Sequence, residues 1–122
     1  TRKLSGSRSL ARINWSANLG YLLYFARQYS QAVDQLKKTI ELDKNFGFAH
    51  STLGYTYESL GRYNEAIAEF EEALWLNGDN TSDLCYLGHA LAKAGRRSEA
   101  EAILKRLETT KQYVSPAELA TL

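Results

Sequence analysis

Apolar and small residues recur at spacings of three and four along most of the chain, most clearly between Leu53 and Leu76. The run LGYTYESLGRYNEAIAEFEEALWL places them on one face of two segments, with a break at residues 61–64. Spacings of three and four are typical of an amphipathic α-helix. The stretch is therefore predicted to form two amphipathic helices joined by a tight turn.

The same pattern returns every 34 residues. A Leu-Gly pair stands at residues 19–20, 53–54 and 87–88, and a small residue of the second segment keeps the same interval at Ala32, Ala66 and Ala100. One helical hairpin cannot bury its own apolar face, whereas a stack of hairpins can. The two landmarks together predict a solenoid of three stacked hairpins.

This period and its motif resemble the tetratricopeptide repeat family. From residue 50 the chain reads H-x2-L-G-x2-Y, and from residue 66 it reads A-x3-F, with His50 standing where the family has Trp. The resemblance covers about residues 13 to 114. It implies an all-α, right-handed superhelical solenoid of three hairpins, at residues 13–46, 47–80 and 81–114.

The two ends fall outside these repeats. Residues 1–12 are basic and Ser-rich, and we expect a frayed N-terminal segment or the end of a preceding repeat. Residues 115–122 open with a Ser-Pro-Ala-Glu capping box, which predicts a partial C-terminal capping helix or a truncated fourth repeat. The chain contains no Met, so we expect it to be a fragment, and its last 19 residues resemble repeat junctions of bacterial proteins.

Helix boundaries follow from the turn and cap residues. The helices are predicted at about 13–26, 30–42, 47–60, 64–76, 81–94 and 98–110. Gly61 and Gly95 can adopt a left-handed conformation at the hairpin turns, but the first turn has Arg27 and Gln28 and is expected to be more strained. The predicted N-caps of the second helices are Ser30, Asn64 and Ser98.

Composition narrows the choice of partner. The 15 Lys and Arg nearly balance the 14 Asp and Glu, and a formal charge of +1 argues against a nucleic-acid binder. The basic pairs at 37–38, 96–97 and 105–106 are interpreted as a solvated convex surface. No apolar run approaches membrane-spanning length, so no membrane partner is expected. One cysteine excludes an internal disulfide and favours, weakly, a cytoplasmic location.

The resemblance also implies where a ligand would bind. In such solenoids the first helices line a concave groove, and here they are rich in tyrosine, which offers large contact area with a hydrogen-bonding tip. The predicted groove residues are Asn18, Tyr21, Tyr24, Phe25, Phe48, Thr52, Tyr55, Glu58, Tyr86, His89 and Lys93.

One well-known ligand of the family is a C-terminal carboxylate held by Lys, Asn and Arg side chains. The matching positions here are Ala17, Tyr21, Thr52, Ser82 and Tyr86. None of them supplies the positive charge that a carboxylate requires. The chain is therefore predicted to be a non-enzymatic interaction module that binds a peptide segment through apolar and hydrogen-bonding side chains. The alternative is self-association through the groove or the solenoid ends.

Cys85 and His89 lie four residues apart, a spacing compatible with metal ligation or with an activated thiol. A metal site needs three or four ligands, and Glu58 is the one obvious third candidate. The glycines recur singly and form no phosphate-binding loop. No metal, cofactor or catalytic site is therefore predicted.

Overall fold

The structure is a computed structural model that describes residues 2–78 and 80–112, with side chains placed for 9–78 and 80–109. These ranges contain six α-helices and no strand. The helices are α1 (Arg2–Phe25), α2 (Tyr29–Leu42), α3 (Gly47–Ser59), α4 (Tyr63–Asn77), α5 (Thr81–Lys93) and α6 (Arg97–Gln112). The predicted helix at residues 115–122 lies outside the described residues.

The helices form three hairpins stacked in chain order. Each helix packs against the next one along the chain, and the first helices of successive hairpins also touch, α1 with α3 and α3 with α5. The predicted all-α solenoid of three hairpins is confirmed. The first helices therefore lie side by side, which is what a shared concave surface requires.

The Leu-Gly pairs bring the two helices of a hairpin close together. A Cβ atom added at Gly54 would lie 2.5 Å from Cε1 of the buried Phe70, and one at Gly20 would lie 2.6 Å from Cδ2 of Leu36. A contact at that distance requires the neighbouring side chain to shift, so a glycine is needed where the helices cross. The 34-residue period of glycine thus reflects the recurring contact within each hairpin.

The turn of the first hairpin differs from the other two. Gly61 and Gly95 have φ angles of 77° and 81°, and the equivalent Arg27 has a φ of 62°. Arg27 is the one non-glycine residue in the described part of the chain with positive φ. The predicted strain at this turn is confirmed, because a left-handed conformation disfavours any residue with a Cβ atom.

Two boundary predictions were wrong. Helix α1 begins at Arg2 rather than near Ile13, since no proline stops the helix from continuing upstream. The second helices also begin one residue before the predicted caps Ser30, Asn64 and Ser98. Gln28 and Arg62 occupy the N-cap positions of α2 and α4, and neither makes a side-chain capping hydrogen bond.

His50, which stands where the resembled family has Trp, is buried. Its Nδ1 lies 2.7 Å from Oε2 of Glu69 on α4, and its Nε2 lies 2.9 Å from the carbonyl oxygen of Lys44 in the loop before α3. Both partners are acceptors, so only the imidazolium can donate to both. The hydrogen bond with Glu69 raises the pKa of His50, against the opposing effect of burial.

Candidate peptide-binding groove

The concave side of the stack holds an open groove with a volume of about 850 Å³. Its walls come from α1, α3 and α5, with one residue from the start of α4. The lining residues are Tyr21, Tyr24, Phe25, Phe48, Tyr55, Glu58, Ser59, Tyr63, Cys85, Tyr86, His89 and Lys93. Nine of the eleven residues predicted from the sequence lie on this wall.

Asn18 and Thr52 are the two predicted residues that do not line the groove. Asn18 is exposed but lies outside its lining. Thr52 is 0% exposed, and its Oγ1 donates to the carbonyl oxygen of Phe48 at 2.8 Å. Thr52 has no free surface because α3 is the middle first helix and lies between α1 and α5. A ligand in the groove cannot reach this side chain.

Three lining residues were missed by the sequence prediction. Ser59 and Cys85 lie on α3 and α5, the first helices of the second and third hairpins. Tyr63 was missed because it begins a second helix, and the prediction took residues from first helices alone. Tyr63 can be located from the sequence because it directly follows the hairpin turn at Gly61. The first residue of a second helix lies close to the edge of the groove.

Aromatic rings run from the first hairpin to the third. Tyr24 and Tyr55 have ring centroids 6.0 Å apart, and Tyr55 and Tyr86 are 4.5 Å apart with edge-to-face geometry. Tyr21 lies 5.5 Å from Phe48. Contacts of this kind stabilise a pair beyond its burial alone, so the rings hold one another in place before a ligand arrives. We call Tyr21, Tyr24, Tyr55 and Tyr86 the tyrosine ladder.

The centre of the tyrosine ladder rests on the hydrophobic core. The fully buried ring of Phe70 lies 5.7 Å from the Tyr55 ring and stacks on Tyr86 at 5.8 Å with an interplanar angle of 19°. Burial, and next the neighbouring Tyr86, raise the pKa of Tyr55 well above its ordinary range. The Tyr55 hydroxyl therefore keeps its proton across the whole physiological range and remains a hydrogen-bond donor.

The far end of the groove carries its charged groups. Glu58 on α3 is hydrogen-bonded through Oε1 to Nδ1 of His89 on α5. Lys93 stands one turn beyond His89 on the same helix and is exposed. One carboxylate therefore faces an ammonium group and an imidazole, which leaves this end of the groove close to neutral.

The Cys85 thiol is exposed on the groove wall. His89, four residues later, makes its hydrogen bond with Glu58. Within the described ranges, no group of three or more His, Cys, Asp or Glu side chains is arranged to hold a metal ion. The geometry thus gives Cys85 the role of a wall residue.

A buried carboxylate that the sequence did not reveal fixes α5 against α3. Asp83 accepts hydrogen bonds from Ser51 Oγ at 2.9 Å and from Asn80 Nδ2 at 2.7 Å. Asn80 also caps α5, because its Oδ1 accepts from the Asp83 backbone N–H at 2.8 Å. Since α3 and α5 carry Tyr55 and Tyr86, this network sets the distance between the two rings.

None of the positions that match the family's carboxylate-binding side chains carries a Lys or Arg. Ala17 and Thr52 are buried, and Ser82 and Tyr86 are exposed.

None of the described helices has the length and apolar character needed to cross a membrane.

One hairpin of the chain is similar in sequence to a known repeat family. Residues 47–80 match the family model described as tetratricopeptide repeat. These residues are the α3–α4 hairpin and its flanking turn, the copy in which the motif is most complete. No curated protein matches the chain significantly.

Solved structures show the same architecture over most of the chain. A structure titled MamA AMB-1 is 28% identical, with a TM-score of 0.76, over 95% of this chain and 65% of that one. YrrB, described as a TPR protein with an unusual peptide-binding site, is 28% identical, with a TM-score of 0.70, over 75% of this chain and 47% of that one. This chain therefore spans less than two thirds of either relative.

A third structure shows the fold alone. The second TPR of Spaghetti (RPAP3), bound to the HSP90 peptide SRMEEVD, has a TM-score of 0.74 over 80% of this chain and 90% of that one. Its identity to this chain is 18%. The backbone arrangement is thus shared at low sequence identity.

Proposed function

We propose that the chain, whose middle hairpin matches the tetratricopeptide repeat model, is a non-enzymatic interaction module that binds a peptide segment in the concave groove along the tyrosine ladder. The observation that carries this proposal is a continuous, partly exposed aromatic wall on the inner face of all three hairpins. Aromatic side chains that keep one face open supply contact area at low cost in conformational entropy.

The charges of the groove favour a ligand other than an acidic C-terminal tail. A carboxylate needs a fixed cation or an array of N–H donors. Lys93 is the one Lys or Arg among the lining residues, and Glu58 stands on the same wall. The peptide SRMEEVD is held by RPAP3, whereas the groove of this chain suits a neutral segment with apolar groups.

The proposal is tested by selecting peptides from a displayed random library on immobilised protein. The comparison uses the wild type, the double variant Tyr55→Ala with Tyr86→Ala, and Trp75→Ala as the matched control. Trp75 is 83% exposed and lies outside the groove, so it removes a large aromatic side chain from another surface. Circular dichroism establishes that each variant keeps its helices.

We expect peptides enriched on the wild type to bind Trp75→Ala equally well and to lose binding to the double variant. A hot-spot aromatic removed from an interface typically weakens binding by about 2 kcal/mol or more, so a loss of about thirtyfold is expected. Enriched peptides that bind all three proteins equally would show that the groove is not the binding site.

A second candidate function is self-association through the end of the stack, and the outer face of α1 favours it. Trp15 is 66% exposed and Leu22 is 64% exposed. One repeat later, the equivalent Ala49 and Thr56 are both fully buried beneath the preceding hairpin. This face of α1 thus holds the positions that are buried between hairpins one repeat later. No hairpin in the described residues covers it.

The opposite end of the stack offers a partner surface for that face. Leu104 on α6 is 55% exposed, and it occupies the register position of Leu36 and Phe70, which are buried. A second copy stacked head to tail would continue the interface that already joins the hairpins. Light scattering across concentration tests this: the mass of the wild type should rise, and Trp15→Gln with Leu22→Gln should remain monomeric. A wild type that is monomeric throughout removes this candidate.

A further inference from the structure

The groove wall points to one class of peptide, and we infer that its ligand is a proline-rich segment in the polyproline II conformation. This inference rests on the groove being the peptide site proposed above. Three properties of the wall support it: the length of its run of rings, the ability of its polar groups to donate hydrogen bonds, and its charge.

The rings of the tyrosine ladder match the geometry of a polyproline II helix. Tyr24, Tyr55 and Tyr86 follow one another with centroid steps of 6.0 and 4.5 Å. A polyproline II helix has three residues per turn and advances about 9 Å in each turn. The run of rings therefore extends over about one turn of the ligand, so one turn can lie across Tyr24, Tyr55 and Tyr86 with its pyrrolidine rings packed on their exposed faces. Aromatic-lined grooves are a general means of recognising this conformation.

The polar groups of the wall act mainly as donors. The hydroxyls of Tyr21, Tyr24 and Tyr86 and the Lys93 ammonium group can donate, whereas the Tyr55 hydroxyl is hydrogen-bonded to Tyr86 and the Glu58 carboxylate already accepts from His89. A polyproline II backbone leaves every carbonyl free to accept and has few N–H groups to satisfy, because proline has none. The ligand therefore offers the carbonyl acceptors that the donors of the wall require.

Other peptide classes fit the same wall less well. A helical ligand uses its carbonyls within the helix, so the tyrosine hydroxyls would find no backbone acceptors there. An extended segment of other residues brings a backbone N–H group for every residue, whereas proline brings none, and the wall offers few acceptors for them. An acidic tail would meet Lys93 but also Glu58. A neutral, carbonyl-rich and proline-rich segment avoids all three mismatches.

The test is a fluorescence anisotropy titration with three labelled peptides: decaproline, an alanine-based helical peptide of similar length, and a peptide with an acidic C-terminus. Decaproline should bind saturably and at least about tenfold more tightly than the other two. Tyr86→Ala should weaken decaproline binding by about tenfold. Tyr86→Phe, which keeps the ring and removes the hydroxyl, should weaken it by less, and Trp75→Ala should leave it unchanged.

The same titration separates failure of this inference from failure of the groove proposal. A peptide enriched from the random library serves as a fourth probe. If that peptide binds and depends on Tyr86 while decaproline does not bind, the groove proposal stands and the inference is overturned. If the library peptide binds without dependence on Tyr86, the groove proposal fails as well. Decaproline binding that Trp75→Ala reduces as strongly as Tyr86→Ala would overturn the inference by placing the contact outside the groove.

Discussion

The first and middle hairpins place different chemistry at the same structural positions. In the first, Ser16 Oγ lies 2.6 Å from Thr39 Oγ1, and Gln35 Nε2 donates to Ser16 Oγ at 2.7 Å. In the middle hairpin, the positions of Ser16 and Gln35 hold His50 and Glu69, joined at 2.7 Å. A neutral network and a charge-assisted pair thus fasten the same two helices.

In the third hairpin, the same positions hold apolar side chains. Leu84 and Ile103 occupy them, and both are buried in the hydrophobic core. The contact between the two helices therefore requires filled volume and satisfied partners rather than a particular residue. The glycine at the helix crossing and the left-handed residue at the turn are less exchangeable. The close approach of the helices requires the first, and the positive φ of the turn requires the second. The following predictions test this contrast, from the largest expected effect to the smallest.

Gly54→Ala should destabilise the protein most. The added Cβ would lie 2.5 Å from the ring of Phe70, which is fully buried and has nowhere to move. Overpacking of this kind costs about 1–3 kcal/mol, and we expect about 2 kcal/mol in the free energy of unfolding measured by urea denaturation. Gly88→Ala is the control, since its Cβ would lie 3.2 Å from Cγ2 of Ile103. It should cost less than about 1 kcal/mol, and an equal loss from both variants would contradict the packing argument.

His50→Gln should remove a pH dependence from the middle hairpin. The raised pKa of His50 means that the folded state holds its proton more tightly than the unfolded state does. This stabilisation is complete below the ordinary histidine pKa of about 6.5 and is lost as the pH rises through the folded value. The groups that face His50 are the carboxylates of Glu69 and Glu72 and the carbonyl of Lys44.

The measurement is the free energy of unfolding between pH 6 and pH 9 for the wild type and His50→Gln. Hydrogen bonds to a charged group are worth about 1.5–3 kcal/mol, so the variant should be less stable by about 1–2 kcal/mol at pH 6. The difference should shrink as the pH rises. A constant difference across that range would show that His50 does not carry the charge in the folded state.

Gly61→Ala should destabilise the protein through its backbone alone. Gly61 has a φ of 77°, and a Cβ added there meets no atom within 4 Å. The cost is therefore the left-handed conformation itself, about 1 kcal/mol, which thermal and urea unfolding both measure. A variant as stable as the wild type would mean that this turn can adopt another conformation.

Arg27→Gly should give the smallest change, and in the opposite direction. Arg27 already adopts a φ of 62°, so a glycine relieves strain but also adds freedom to the unfolded chain. We expect a net stabilisation of less than about 1 kcal/mol, seen as a small rise in the urea midpoint. A loss of stability would mean that the Arg27 side chain contributes more than its backbone costs.

The fold was largely predictable because its determinants are local and periodic. The 34-residue interval of glycine and alanine located all three hairpins, and turn chemistry singled out Arg27. The N-caps were not predictable, since neither Gln28 nor Arg62 makes a side-chain capping hydrogen bond, and residue type is a signal only for caps that do.

The candidate groove was predictable in its helices but not in every side chain. Tyr21 and Tyr55 follow from their register on the first helices. Burial of Thr52 depends on the neighbours of α3 on both sides, which are a property of the stack rather than of one repeat. The buried Asp83 was missed for a related reason, because its partner Ser51 lies 32 residues away and no local pattern joins them.

The most direct test of the groove as the binding site is a titration of isotope-labelled protein with a library-selected peptide, followed by backbone amide chemical shifts. The account predicts that the largest shifts fall on the groove face of α1, α3 and α5, around Tyr21, Tyr55 and Tyr86. Shifts concentrated on the outer face, around Trp75 and Leu104, with the tyrosine ladder unchanged, would contradict it.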